Sequence, residues 1–285
     1  MISPERRTEI NAGLAKMAEE EGVRVLYACE SGSRAWGFPS RDSDYDVRFI
    51  YAHPVEWYLS IRNRRDVIER PVVNDIDLSG WDIKKVLVLL RKSNPPLLEW
   101  LQSPIVYQQH EAFVNGIRAL LPVYYSPRNC MHHYQHMAKG NIREYLKGER
   151  VWVKKYFYVL RPLLACLWIE VGKGVVPMEF AKLVEGVELD AEMRKEIARL
   201  LRDKLAGREM DDGPRVPEFQ DFFSREIPRL ESITDTFPPG PKADLDRLDL
   251  FFQQSIDLRN PPRAKEPPAK WPGARCQPIV NLPRD

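Results

Sequence analysis

The sequence predicts an α+β fold: an α/β domain, then a mostly helical domain, then a Pro-rich C-terminal tail. Three observations predict it. First, β-rich runs such as VRVLYAC (Val23 to Cys29) and SDYDVRFIYA (Ser43 to Ala52) alternate with amphipathic helical stretches through the first part of the chain. Second, strand signals stop near residue 110, and long helical patterns cover most of Asn129 to Arg208. Third, the closing stretch NPPRAKEPPAKWPGARCQPIVNLPRD is too rich in Pro for a helix and reads as extended. The expected units are 1–110, 111–259 and 260–285.

Each element has a local reason. Ser3-Pro4 is an N-cap followed by Pro at the first helical position. Ile10, Leu14, Met17 and Ala18 repeat at helical spacing behind it, and Gly22 ends the helix. VRVLYAC reads as a central strand, Gly32-Ser33 as the turn at its end, and RAWGF as a short turn or helix. In the second strand Asp44, Asp46, Arg48 and Ile50 fall on one face, and Tyr45, Val47, Phe49 and Tyr51 on the other. RDVIERP and VNDIDLSGW read as a further pair of strands. DIKKVLVLLRKS places Ile83, Val86, Leu87 and Leu90 on one helical stripe. Asn94-Pro95 opens a short helix, SPIVYQ returns to extended chain, and Leu245 to Leu258 forms a last helix with Leu248, Leu250, Phe251 and Ile256 as its apolar side.

Composition narrows the class. A chain of 285 residues with 44% hydrophobic residues can bury a sizeable core. A net charge of +2 is not that of a nucleic-acid coat protein, so any basic surface must be local. Cys29, Cys130, Cys166 and Cys276 show no zinc-ribbon spacing. The charged start MISPERRTEI lacks the apolar core of a signal peptide, and no apolar run is long enough to cross a bilayer. A reduced, cytoplasmic protein without a membrane partner is expected.

Asp42, Asp44 and Asp46 alternate at the start of a strand that is otherwise apolar, where bare carboxylates repel and resist desolvation. An EF-hand would need Gly and Glu where Val47 and His53 stand. Solvated turn suits Asp42 but not Asp46, which adjoins Val47 and Phe49. Just upstream, Gly32-Ser33 offers a close-approach backbone and a hydroxyl to a phosphate. Downstream, Asp75 and Asp77 alternate in the same way, and parity alone does not separate them. Three carboxylates from neighbouring strands beside a phosphate cradle suit two Mg²⁺ ions, with Mn²⁺ as the alternative, in an in-line phosphoryl displacement. Glu30 reads either as a strand end or as a site contact, and Arg48 shares the aspartates' face, placed to neutralise them from below.

Gly-Ser, then ten residues (Arg34 to Ser43), then D-x-D at a strand start and a later strand Asp resembles the DNA polymerase β-type nucleotidyltransferase superfamily. The words ESGSRAWGF, DSDYDVRFIY, DLSGWDIKKVLVLLRKSNPPLLEWLQSPIVY and KKYFYVLRPLLA are similar to one branch, the predicted nucleotidyltransferases encoded near RNA ligases in RNA-repair systems; the resemblance covers roughly residues 20 to 180. It implies a catalytic domain with a mixed sheet flanked by helices. It implies that Gly32, Ser33 and Arg34 hold the triphosphate of an NTP and that Asp44 and Asp46 hold both metal ions. Asp77, preferred to Asp75 because it sits in the branch's D-[IL]-x-G-W-D word, shares one ion and helps activate the attacking hydroxyl. Lys154, Lys155 and Tyr156 contact the triphosphate or base.

In the helical region Lys139, Arg143, Lys147, Arg150, Lys154 and Arg161 fall within roughly 80° of one another if the helix is unbroken. Glu144 and Glu149 are the few acidic residues there. The bland reading is a solvated face, and Gly140 and Gly148 weaken the continuity. The functional reading gives Lys139, Arg143, Lys147 and Arg150 to an RNA backbone. Cys130, His132, His133 and His136 lack a second cluster and are poor zinc ligands. Trp81, Trp100, Trp152 and Trp168 read as core. The expected activity is Mg²⁺-dependent transfer of an NMP from an NTP to an acceptor hydroxyl with release of pyrophosphate, the acceptor being an RNA end and the setting an RNA-ligase pathway. The rivals are a protein acceptor (AMPylation), a small molecule such as an aminoglycoside, and a nucleotide or RNA binder without catalysis.

Overall fold

The computed structural model describes residues 2–40, 42–208, 212–241 and 244–257. Helix α1 (Pro4–Glu21) starts where the Ser3 hydroxyl accepts the Arg6 N–H and stops at Gly22, left-handed at φ 62°. Strand β1 (Arg24–Glu30) leads through the five-residue α2 (Gly32–Trp36) to β2 (Tyr45–Ala52). A short α3 (Val55–Tyr58) and a loop precede the hairpin of β3 (Val67–Glu69) and β4 (Ile76–Asp82). Helices α4 (Ile83–Arg91) and α5 (Pro95–Trp100) follow, with β5 (Val106–Gln109) at the far edge.

The sheet order is β3-β4-β2-β1-β5. Only β2 and β4 run parallel, so the sheet is mixed, and their register sets Asp46 beside Asp77 at one end and Tyr51 beside Asp82 at the other. Alternation sends Val47, Phe49 and Tyr51 to the face covered by Ile10, Leu14 and Met17 of α1. Ile50 and Ala52 join the larger core on the opposite face.

That larger core continues past the expected boundary near residue 110. Helix α6 (Glu111–Tyr124) buries Phe113, Val114 and Ile117 in it. The helices α7 (Pro127–Tyr145) and α8 (Tyr156–Glu170) pack together, joined by β6 (Arg150–Val151) and a 3₁₀ turn. Next come α9 (Phe180–Glu185), α10 (Ala191–Leu205), β7 (Gly213–Pro214) paired with β6, α11 (Pro217–Thr234) and α12 (Leu245–Ile256). Phe38, just after α2, stacks on Phe157 of α8 at 4.5 Å between centroids, tying the turn below the site to the helical half.

Several expectations are corrected. The β6–β7 pair adds strand after residue 110, and α6 and α11 were not foreseen. The basic stripe does not exist as one helical face: α7 ends at Tyr145, and Gly148 turns the chain at φ 93°. Lys139 pairs with Glu231, Arg150 with Asp212, and buried Arg161 with Glu99 at 2.6 Å; Arg143 and Lys147 remain exposed but lie on different elements. Trp152 is half exposed rather than core, and Leu250 of α12 points outward. The Pro-rich tail 260–285 lies outside the described residues. Among those described, no helix is long and apolar enough to cross a membrane.

Candidate active site

The site forms where β1 ends beside the start of β2. The Ser31 N–H donates to the Asp46 carbonyl at 2.8 Å, which presses the next residue against the Asp46 side chain. That residue is Gly32, left-handed at φ 56°; a Cβ there would lie 2.0 Å from Asp46 Oδ2. Only glycine fits the conformation and the gap together. Ser33 follows on α2, half exposed.

Arg34 reaches forward to the aspartate loop. Its Nε donates to the Asp44 carbonyl (3.2 Å) and its Nη2 to that of Ser43 (2.6 Å). Its guanidinium lies 3.8 Å from the Tyr45 ring centroid. Asp42 and Asp44 are exposed in this loop. Asp46 and Asp77 are neighbours in the parallel register, their side chains 29% and 30% exposed. Arg48 Nη2 bridges them, donating to Asp46 Oδ1 at 3.1 Å and Asp77 Oδ2 at 2.8 Å. Asp75 is excluded from this pair by the backbone: it sits before β4 at φ 60°, with its carbonyl accepting the Tyr45 N–H.

Burial is the main reason that the Asp46 carboxyl titrates above the ordinary aspartate value; Arg48 opposes the rise, and the charges of Asp77 and Asp44 add to it. Glu30 lies beneath, fully buried. Its Oε1 accepts the Asp46 N–H at 2.9 Å, and its other oxygen accepts the Tyr107 hydroxyl. Burial pushes its carboxyl up to about 7, against the pull of those two donors. The sequence left Glu30 open between strand end and site contact; it is both, a buried strand end that fixes the backbone of Asp46.

From the helical side, Lys155 Nζ lies 4.2 Å from the Tyr145 ring centroid and 4.4 Å from that of Tyr158. Burial and then Lys154 lower the affinity of the Lys155 amine for its proton. Lys154 lies 5.2 Å from the Trp152 ring centroid. Tyr158 is 43% exposed and packs edge-on against Trp36 at 5.5 Å. Burial first and then the charge of Asp46 raise the Tyr158 hydroxyl's pKa. Tyr156 is a correction. It is fully buried, its hydroxyl accepts the Val216 N–H at 3.0 Å, and its ring packs on Phe219, so it has no face to offer a nucleotide. Sequence spacing missed Tyr158 because a helix turn presents residues two apart in very different directions.

Among the described residues no three Asp, Glu, His or Cys side chains converge closely enough to hold a metal ion, and this includes the His132, His133 and His136 face of α7. The Asp46–Asp77 pair nevertheless fits one by chemistry. It is a pair of oxygen donors, open to solvent on one side, and it already holds a cation, the Arg48 guanidinium, between its carboxylates.

The chain matches RlaP, the RNA repair pathway DNA polymerase beta family, over residues 7–254. It is 47% identical over 244 residues to the uncharacterised protein YcgL of Bacillus subtilis (strain 168), covering 86% of this chain and 94% of that one. A crystal structure of a nucleotidyltransferase-like protein from Exiguobacterium sibiricum 255-15 covers 87% of this chain and 80% of its own, at 8% identity and a TM-score of 0.27, too distant to bear on the argument.

Proposed function

The chain belongs to the RNA repair pathway DNA polymerase beta family, and from that membership and the site geometry we propose that it transfers an NMP from an NTP to the hydroxyl of an RNA end. The observation that carries the reading is the Asp46–Asp77 pair set against Gly32 and held by a single guanidinium. Two partly exposed carboxylates brought side by side suit a cation that sits with both, as the Arg48 guanidinium does here.

Asp46, Asp77 and the exposed Asp44 are the residues that would hold Mg²⁺, with Mn²⁺ as an alternative. A bound divalent ion supplies charge neutralisation for the phosphates and lowers the pKa of a coordinated hydroxyl. Asp77 accepts the proton of the acceptor hydroxyl. The hydroxyl oxygen forms a bond to the α-phosphorus as the bond to the β-phosphate oxygen breaks, and pyrophosphate leaves with that electron pair. Gly32 admits the triphosphate backbone to close range and the Ser33 hydroxyl donates to it. Lys155, the cation on the helical side, balances the leaving pyrophosphate, with Lys154 beside it. Tyr158 takes the stacking role expected of Tyr156. Arg34 acts through the aspartate loop it clamps.

The RNA acceptor rests on the family, since the broken stripe from Lys139 to Arg150 no longer supports it. The test is to incubate the protein with each α-labelled NTP, Mg²⁺ and RNA of mixed end chemistries, beside an Asp44→Ala/Asp46→Ala control. Metal-dependent label on RNA, lost in the control, is expected. Label on protein would replace this reading with AMPylation, and tight NTP binding without any transfer would replace it with a nucleotide-binding role.

A further inference from the structure

At the opposite end of β2 and β4 from the aspartates lies a cleft of about 490 Å³, walled by the chain from Trp57 to Asp66 on one side and the first two turns of α4 on the other. Its charged lining is Arg62, Arg64, Lys84 and Lys85 against Asp66 and Asp82. The acids are spoken for. Asp82 is 1% exposed, accepts the Tyr58 hydroxyl at 2.7 Å and caps α4 through the Lys84 N–H; Asp66 pairs with Lys85 at 3.0 Å. Arg62, Arg64 and Lys84 are exposed, and among the described residues none of the three is in an ion pair with a carboxylate. The Arg64 guanidinium lies 5.3 Å from the Trp57 ring centroid, and Trp57 stacks on His53 at 3.9 Å, giving the cleft a planar cationic wall. A fold with a formal net charge of only +2 thus gathers an excess of positive charge in one concave place.

We propose that this cleft binds the phosphodiester backbone of single-stranded RNA, the upstream part of the strand whose end is presented to Asp46 and Asp77. This rests on the reading of an RNA acceptor given above. Cationic side chains spaced along a groove with a flat aromatic–guanidinium wall suit a strand of regularly spaced phosphates and bases. A flat anionic bilayer would meet only the rim. From Asp46 to Tyr51 is five residues of strand, about 17 Å, the span of about five stacked nucleotides at ~3.4 Å each. That line runs through the buried residues of β2, so RNA that reaches the cleft over the surface spans at least about five nucleotides from the reacting end, and shorter acceptors do not reach it.

The test uses the full chain and its Arg62→Glu/Arg64→Glu variant, with Lys84→Ala/Lys85→Ala as a second, independent variant. Arg62 and Arg64 are exposed loop residues, so charge reversal there leaves the fold intact, which thermal melting checks. Fluorescence anisotropy measures binding of a labelled 12-nucleotide single-stranded RNA at several salt concentrations, and label transfer is measured on a trinucleotide and on the 12-mer. The expected result is affinity for the 12-mer reduced at least about 10-fold in the first variant, the log–log salt slope reduced by about 1.4 for two lost phosphate contacts, and transfer to the trinucleotide unchanged. Variant and wild type binding the 12-mer alike, with unchanged salt slopes, overturns the proposal and leaves the transferase reading standing. A wild type that transfers label yet has no affinity for RNA overturns both the RNA acceptor and this cleft. Binding lost to anionic phospholipid vesicles but not to RNA overturns it in favour of a membrane surface.

Discussion

At one end of the parallel pair β2–β4, Asp46 and Asp77 lie side by side with only Arg48 between them; at the other, Asp82 lies opposite Tyr51 and is absorbed into the fold. The residue type is the same and the outcome is not. Asp82 is buried, and its carboxylate is filled by a helix N-cap and the Tyr58 hydroxyl, so removing it disturbs structure. Asp46 and Asp77 are about a third exposed, and their shared side-chain partner is the guanidinium of Arg48. A buried acid whose acceptors are satisfied from within is architecture. An acid pair left facing one cation is a site.

The largest way to break this comparison is at the acid pair itself. Asp46→Ala is expected to lower nucleotide transfer by about 10²-fold to 10³-fold, while melting shifts little because Arg48 keeps Asp77 as its partner. A variant that unfolds instead would make Asp46 structural, like Asp82. Gly32→Ala comes next. It places a methyl against Asp46 Oδ2 in a left-handed conformation, and a loss of about 10-fold or more in transfer is expected, with a stability cost of about 1–2 kcal/mol.

Asp82 sharpens the structural side. Burial pushes its carboxyl from the ordinary aspartate value of 3.8 up to about 6, so the folded chain holds that proton more tightly than the unfolded chain. A raised acid loses stability as pH rises, here from about pH 4 to about pH 6. Asp82→Asn removes this slope. Denaturant unfolding at pH 4 and pH 7 should show the wild type losing about 2–3 kcal/mol relative to the variant over that interval; a wild type that holds or gains stability relative to the variant would contradict it. The smallest effect on catalysis is at Tyr156→Phe, which strips the buried Val216 N–H of its acceptor and costs about 1–3 kcal/mol of stability. The KM for NTP should stay unchanged, whereas Tyr158→Ala should raise it. Steady-state kinetics on both variants separates the two tyrosines.

The acid end was legible in the sequence because strand parity is local. Asp46 and Arg48 fall on one face of β2 whatever the rest of the chain does, whereas Asp44, expected on that strand, lies in the loop before it. The choice of Asp77 over Asp75 was not derivable from parity; it depends on where β4 begins, and Asp75 sits outside it at φ 60°. Glu30 carried a signal, a carboxylate closing a buried strand just before a Gly-Ser turn, but its partners Tyr107 and the Asp46 N–H come from other strands. The helical half was read less well for a related reason. Periodicity cannot see a break: the stripe from Lys139 to Arg161 assumed one helix, where Gly148 and the β6–β7 pair impose a corner. At the start of α8, beyond that corner, Tyr156 is buried and Tyr158 is exposed.

The most direct test of the acid pair as a cation site is calorimetric titration of Mn²⁺ into the protein alone at neutral pH. The expected result is saturable Mn²⁺ binding by the wild type, retained in Arg48→Gln and abolished in Asp46→Ala/Asp77→Ala. Equal binding by the wild type and the double alanine variant would contradict the account and return Asp46 and Asp77 to the structural class that Asp82 occupies.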